Sequence, residues 1–185
     1  MTDSRALLDQ TPSQTIGPFF HFSLPWAGGD DLAGPAPAGR VIEVSGHVFD
    51  GAGEPVSDAL LEVWQADPAG AYGGSDGFVG FGRCATDADG RYRFRTLFPG
   101  RTPAPGGGLQ APHIAMSVLA RGLLRRLATR VYFEDGAGNA EDAILGLVPA
   151  ERRPTLIATC REDAGADYRF DIVLQGERET VFFDV

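Results

Sequence analysis

The residues that can bind a metal or move a proton are few and far apart in this sequence. The histidines are His21, His47 and His113, and no two of them are spaced to share one face of a strand or a helix. The serines lie in turn-like surroundings and do not indicate a Ser-His-Asp triad. All 16 basic residues are arginines, which excludes a lysine nucleophile or Schiff base. From spacing alone, each histidine is predicted to be a hydrogen-bonded structural residue.

One acidic stretch is similar to the beginning of a calcium-binding loop. Residues 86–90 read TDADG, and alternating oxygen ligands open such loops. The later acidic ligands of a calcium loop do not follow in the sequence. Aspartate and glycine are also favoured in the turns of β-hairpins. We therefore predict a hairpin turn at these residues.

The sequence predicts that the candidate functional residues are positioned by short strands. Residues 91–97 (RYRFRTL) alternate arginines with Tyr92, Phe94 and Thr96, the period of a strand with one buried face. Further stretches with strand character are 41–48, 59–64, 114–120, 129–133, 155–159, 168–174 and 180–183. Residues 139–147 predict two helical turns at most, and residues 123–127 a single turn. We predict an all-β fold, an antiparallel β-sandwich with long loops and one or two very short helices.

Two segments do not fit a bare sandwich. Residues 1–40 contain the run IGPFFHF at 16–22, in which proline excludes a regular helix or central strand. The run is too apolar to remain in water, so residues 1–40 are predicted to form an extended arm that packs on a partner chain. Residues 41–185 are predicted to form the sandwich. Within it, residues 99–112 (PGRTPAPGGGLQAP) form a long loop, and loops of that length are often functional.

The composition limits the classes of partner. The formal net charge is −9, without a basic run, which disfavours nucleic acid and anionic membrane surfaces as partners. The sequence shows no signal peptide and no apolar stretch of the length that spans a membrane. Cys84 and Cys160 show no CxxC spacing, and they are interpreted as reduced thiols in a cytoplasmic protein.

Several stretches, taken together, resemble the intradiol ring-cleaving dioxygenases. They are LEVWQAD at 61–67, GAY at 70–72, GR at 82–83, TD at 86–87, GRY at 90–92, FPG at 98–100, APHI at 111–114 and YRFDI at 168–172. Within that family, TPSQT at 11–15, GPFF at 17–20 and ETVFF at 179–183 are similar to one kind of subunit of a heteromeric member. The resemblance extends from residue 11 to the end of the sequence.

The resemblance implies where a ferric site would lie and that half of it is missing. Iron-binding members hold Fe(III) with two tyrosines and two histidines, and anionic oxygen ligands suit a trivalent ion. The matching positions here are Tyr72, Thr102, His113 and Ala115, so one tyrosine is replaced by threonine and one histidine by alanine. Gln110 stands where an arginine precedes the histidines in the family. The resemblance therefore implies that this chain holds no metal and that a partner subunit holds Fe(III).

The resemblance also implies a role for this chain beside that partner. A homologous iron-bearing β subunit would assemble with it into an (αβ)n complex, and this chain would complete the pocket for O2 and a catechol that carries a carboxylate. The residues that match are Thr15, Gly17, Pro18, Phe19 and Arg121. A Gly-Pro pair lets an extended backbone approach a flat ring. An arginine binds a carboxylate through two parallel hydrogen bonds.

Two other hypotheses compete with this interpretation. Residues 46–59 and 86–94 are also similar to transthyretin-like and carboxypeptidase-regulatory domains, which are non-catalytic β-sandwich modules. That similarity leaves the N-terminal arm and the C-terminal strands unexplained. The second alternative is a homomeric dioxygenase with unusual metal ligands. Iron bound by the chain alone would favour the homomeric enzyme, whereas an inert complex without iron would favour the module.

Overall fold

The computed structural model describes residues 11–17, 19–73, 78–161 and 166–185, and most of their regular structure is β-strand. The strands are β1 Val41–Phe49, β2 Leu60–Gln65, β3 Phe81–Ala85, β4 Arg91–Leu97, β5 Thr102–Pro103, β6 Leu109–Gln110, β7 His113–Leu119, β8 Leu127–Phe133, β9 Ile157–Cys160, β10 Asp167–Arg169 and β11 Ile172–Val173. The helices are α1 Phe20–Ser23, α2 Ala143–Leu147 and the 3-10 turns Asn139–Glu141 and Arg153–Leu156. Over these ranges, no helix is both long and apolar enough to cross a bilayer. The predicted all-β fold is confirmed.

Nine of the strands form one curled sheet, in which β4 pairs with β1 and the path continues through β10, β9, β8, β7 and β2 to β3. Side chains from β1 and β4 share one core with side chains from β2, β7 and β8. The remaining strands, β5 and β6, form a separate two-stranded hairpin. The sheet is mixed rather than purely antiparallel, because β1 pairs in parallel with β10 and β11, and β8 in parallel with β9.

The alternating sequence of strand β1 determines which of its side chains enter the core. Its residues alternate between half-buried and buried along the whole strand, and Ile42, Val44 and Val48 each expose 1% or less of their surface. Gly46 falls at a buried position of the same face, where an added Cβ would overlap the carbonyl of Phe170. The period of two therefore fixes which face of β1 enters the core, and glycine allows a neighbouring chain segment to approach it.

A turn forms at residues 86–90 as predicted, but it is not a hairpin turn, because β3 pairs with β2 and β4 pairs with β1. Asp87 Oδ1 accepts hydrogen bonds from the backbone N–H groups of Asp89 and Arg91, each at 2.9 Å, and Gly90 has a φ of +73°. Because both hydrogen bonds come from backbone N–H groups, the carboxylate of Asp87 stabilises the turn between β3 and β4. Over the described part of the chain, no group of three or more His, Cys, Asp or Glu side chains is arranged to hold a metal ion.

Several predicted elements differ from the structure at their ends, and two predictions were wrong. A short helix, α1, forms in the run from which a regular helix was excluded, and residues 123–127 form no helical turn. The helix predicted at 139–147 is divided by Asp142, whose side chain caps α2. The strand predicted at 155–159 begins later, because Arg153–Leu156 is a 3-10 turn. Residues 180–183 were expected to form a strand but make only an isolated bridge, from Phe183 to Ala128.

Candidate functional site

Tyr72 and His113 lie together, as the family resemblance implies. The hydroxyl of Tyr72 is 3.5 Å from His113 Nε2. His113 begins β7 and is 4% exposed, whereas Tyr72 follows β2 and stacks on Trp64 with their ring centroids 5.9 Å apart. Burial raises the pKa of Tyr72 above its ordinary value of 10.0, so the phenol remains protonated near neutral pH.

The long glycine-rich loop brings Thr102 to the same place. Its ends pair as β5 and β6, with Thr102 opposite Gln110. The amide of Gln110 donates hydrogen bonds to Thr102 Oγ1 at 3.2 Å and to the Pro103 carbonyl at 3.0 Å. Thr102 is 2% exposed. Its hydroxyl is thus buried and hydrogen-bonded in the position where the family resemblance places a tyrosine.

Ala115, the fourth of these positions, faces an arginine that the sequence analysis did not identify. Arg130 lies directly opposite Ala115 in the β7–β8 ladder, so the two side chains leave the same face of the sheet. Its Nη1 donates to Gln110 Oε1 at 2.7 Å and, more weakly, to the Tyr132 hydroxyl at 3.4 Å. The signal in the sequence for this arginine was the spacing of Arg130 and Tyr132, which puts both side chains on one face of the predicted strand 129–133.

These residues do not fit a ferric ion. Thr102 offers a neutral hydroxyl that already accepts a hydrogen bond, and Ala115 offers no ligand atom. Arg130 adds a permanent positive charge, which opposes the rise that burial causes in the pKa of Tyr72 and adds to the fall that burial causes in the pKa of His113. A cation that lies this close also disfavours a trivalent metal ion.

The buried carboxylate of Asp142 connects the elements that carry these residues. Asp142 is 2% exposed, and its Oδ1 accepts the N-cap hydrogen bonds of α2 from the backbone N–H groups of Ile144 and Leu145. Its Oδ2 accepts from the backbone N–H of Ala111 at 2.7 Å, and Oδ1 also accepts from the Tyr132 hydroxyl at 3.2 Å. One side chain thus connects α2, β8 and the segment that enters β7.

The tautomer of His113 follows from its surroundings. Its Nδ1 lies 2.8 Å from the carbonyl of Ala111, so Nδ1 carries the proton and donates it. Burial lowers the pKa of His113 below its ordinary value of 6.5, and the repulsion from Arg130 acts in the same direction. The imidazole is therefore neutral in the folded chain.

We expect the stability of the protein to fall as the pH is lowered below about 6.5, partly because of His113. The unfolded imidazole takes up a proton near pH 6.5 while the folded one does not, so the unfolded state binds more protons in this window. The free energy of unfolding in urea, measured between pH 7.5 and 5.5, should decrease more steeply for the wild type than for His113→Gln. Equal slopes for the two proteins would show that His113 has the same pKa in the folded and unfolded states, and would contradict this prediction.

A second group of predicted residues meets at the turn after β7. The backbone N–H of Gly122 donates to Thr15 Oγ1 at 3.2 Å, and the N–H of Ile16 donates to the Leu123 carbonyl at 2.8 Å. Gly17 follows with a φ of +75°, a conformation that favours glycine. The arm therefore lies beside Arg121.

Arg121 is positioned by an aspartate that the sequence analysis did not single out. Its Nε lies 3.3 Å from Asp58 Oδ2, and its side chain is 70% exposed. Asp58 is 8% exposed, and neither of its carboxylate oxygens has a hydrogen-bond partner among the described residues. The ion pair compensates the buried charge of Asp58, while the outer edge of the exposed guanidinium, with both Nη groups, stays available for a ligand.

Some aromatic side chains of the arm are exposed, whereas another packs on the sheet of the same chain. Phe19 is 70% exposed and Phe22 is 62% exposed, and their rings contact each other with centroids 5.5 Å apart. Farther along, Trp26 stacks on Phe81 of β3, so this part of residues 1–40 lies on its own chain. Pro18, which was also predicted to line the pocket, lies outside the described residues.

The comparisons with known proteins agree with this geometry. A family model described as a dioxygenase matches residues 28–176. The chain is 46% identical to the protocatechuate 3,4-dioxygenase alpha chain of Burkholderia cepacia, over 96% of this chain and 98% of the relative. It is also 38% identical to the beta chain of that enzyme from the same organism, over 78% of this chain and 68% of the relative.

A solved structure gives the same result for the fold. The dioxygenase domain of a dioxygenase carbohydrate-binding protein fusion from Streptomyces sp. SirexAA-E superimposes with a TM-score of 0.65. It is 34% identical, and the match covers 82% of this chain and 88% of that domain. The family match, the curated relatives and this structure agree, and the chain belongs to the intradiol dioxygenase family.

Proposed function

We propose that this chain is the iron-free α subunit of a heteromeric protocatechuate 3,4-dioxygenase. The reaction breaks the bond between the two hydroxylated carbons of 3,4-dihydroxybenzoate and adds both atoms of O2, which gives 3-carboxy-cis,cis-muconate. Fe(III) in the homologous β subunit supplies the redox chemistry. The observation that carries the proposal is the pair Thr102 and Ala115, at which this chain lacks two of the four ligands.

Support for a partner comes from the surface of the arm. Phe19, Phe20 and Phe22 leave large fractions of their rings in solvent, and exposed aromatic clusters of this kind mark protein interfaces. The 38% identity to a beta chain indicates that the partner resembles this chain. We infer that residues 11–17 and 19–23 of the arm pack on the β subunit and that residues 41–185 form the β-sandwich of the family.

The substrate pocket is proposed to form where this surface meets the partner. Arg121 presents its outer guanidinium edge to the carboxylate of the substrate, and Asp58 holds its Nε side. Thr15, Gly17 and Phe19 form the adjoining wall, at which the backbone approaches the ring. We also place the complex in the cytoplasm, where free thiols such as those of this chain persist.

Charged substitutions in the arm test the assembly. We expect Phe19→Asp combined with Phe22→Asp to abolish co-elution with the β subunit and ring cleavage, because two carboxylates would be desolvated in the interface. Both residues are exposed in this chain, so its own fold should remain intact. Size-exclusion chromatography of the co-expressed chains, together with O2 uptake, provides the measurement.

Val79→Asp is the matched control, since Val79 is 65% exposed and lies outside the arm. It should leave both co-elution and activity unchanged. If the double substitution in the arm left a fully active complex, the arm would not be the interface. A co-eluting pair that is inert and without iron would favour the non-catalytic module instead.

A further inference from the structure

A cavity of about 570 Å³ lies on the face of the sheet formed by β2, β3, β7 and β8. Its walls are mostly apolar and include Trp64, Phe81 and Leu147, and residues near the C-terminus close one side. Arg121 and the N-terminal arm do not line it. The cavity is therefore separate from the surface that the proposed function assigns to the shared substrate pocket. Its volume lies within the range of small-molecule sites.

Charge distinguishes this cavity from an ordinary apolar groove. Glu62, Arg126 and Arg130 line it, and Glu62 is already paired with Arg83 at 2.6 Å. Within the described ranges, neither Arg126 nor Arg130 has a carboxylate within 4.0 Å. Two guanidinium groups that form no ion pair with a described residue thus line a mostly apolar cavity, in a chain whose net charge is −9.

Arg130 is held in place by neutral partners. Its Nη1 donates to the amide oxygen of Gln110 at 2.7 Å and to the phenol of Tyr132 at 3.4 Å. An arginine has five N–H donors, and no described residue accepts a hydrogen bond from its Nε or Nη2. These contacts orient the side chain and leave its charge uncompensated. The small side chain of Ala115, directly opposite, leaves space beside the guanidinium.

Aromatic side chains lie next to this charge. Trp64 neighbours Ala115 on the other side of β7, is 40% exposed and packs at a tilt against Phe81 with centroids 6.4 Å apart. A flat ring can therefore contact Trp64 and Phe81 while an acidic substituent reaches Arg130. Aromatic contacts and a charge-assisted hydrogen bond would then act on one ligand.

We propose that this cavity binds a monocyclic aromatic carboxylate without a metal, with the ring against Trp64 and Phe81 and the carboxylate on the guanidinium of Arg130. Of the four positions that match the family's iron ligands, Ala115 lines this cavity. Arg126, which donates to Ser117 Oγ at 3.1 Å, adds a second positive charge at the rim. The site goes beyond the proposed function, since that function uses the partner's iron and Arg121.

The test is isothermal titration calorimetry of the full chain with benzoate. Benzamide, which is neutral and of similar shape, is the control ligand. We expect saturable binding of benzoate, at least about tenfold tighter than that of benzamide, because only the carboxylate forms a charge-assisted pair. Arg130→Gln should weaken benzoate binding about tenfold or more. Arg125→Gln is the control, since Arg125 pairs with Asp184 outside the cavity, and it should change nothing.

A second variant keeps the test decisive if Arg130→Gln does not fold. Leu147 lines the cavity and is 79% exposed, so Leu147→Glu preserves the fold and adds a negative charge at the rim. It should weaken benzoate binding more than benzamide binding. The absence of saturable benzoate binding to the wild-type chain would overturn the proposal, as would equal benzoate affinities in the wild type, Arg130→Gln and Leu147→Glu.

Discussion

Replacing Arg121 by glutamine in the assembled enzyme should lower kcat/KM for 3,4-dihydroxybenzoate about 10- to 100-fold, chiefly through a higher KM. The range corresponds to the loss of a charge-assisted, two-point contact with a carboxylate. Glutamine keeps much of the length of the side chain but removes the charge that Asp58 positions. Iron content should not change, because the proposed iron ligands belong to the β subunit and not to this chain. Steady-state O2 uptake and metal analysis of the same preparation provide the two measurements.

The substrate offers its own control for this prediction. Catechol lacks the carboxylate, so any turnover of catechol by the complex should be nearly the same for Arg121→Gln and the wild type. A second control is Arg125→Gln, which removes a guanidinium from the neighbouring exposed turn. Equal losses with both substrates would show that Arg121 acts through the structure of the interface and not through the carboxylate.

Replacing Asp142 by alanine should reduce the free energy of unfolding by about 3–5 kcal/mol, within the range for breaking a buried charged network. The substitution removes the N-cap of α2, which contributes about 1 kcal/mol. It also leaves the buried backbone N–H of Ala111 without its acceptor, at a cost of about 1–3 kcal/mol. The Tyr132 hydroxyl loses a partner as well. Urea unfolding followed by circular dichroism measures the change.

Two variants separate the parts of this effect. Asp142→Asn retains a carbonyl oxygen for the cap but replaces one acceptor by an amide donor, so it should lose less stability than Asp142→Ala. Asp184→Asn changes a carboxylate that is 85% exposed and should have little effect. If Asp142→Ala were as stable as Asp184→Asn, the buried network would not hold these elements together.

The parts of the fold that the sequence predicts are those governed by local periodicity. β4 occupies residues 91–97 as predicted, because arginines alternate with Tyr92 and Phe94, which are 3% and 1% exposed. β3 was missed because its sequence, FGRCA, contains glycine and arginine and has one buried position. The parallel pairing of β1 with β10 is set by distant chain segments, for which a single sequence carries no local signal.

The same distinction applies to the site. The family resemblance led to Tyr72 and His113, which lie 41 residues apart in sequence and meet in space. Asp58, Arg130 and Asp142 act through partners on other strands or loops, such as Ala111, which lies 31 residues from Asp142. Their roles depend on which strands become neighbours. Residue type and spacing do not determine that before the fold is known.

Iron content measured on the separated and assembled chains tests the central claim most directly. Metal analysis and visible absorption should show a nearly colourless chain with negligible iron when it is purified alone. The complex should be coloured, since tyrosinate bound to Fe(III) absorbs visible light, and it should hold one iron for each pair of α and β chains. Stoichiometric iron in the separately purified chain, lost on substitution of Tyr72 or His113, would contradict the account.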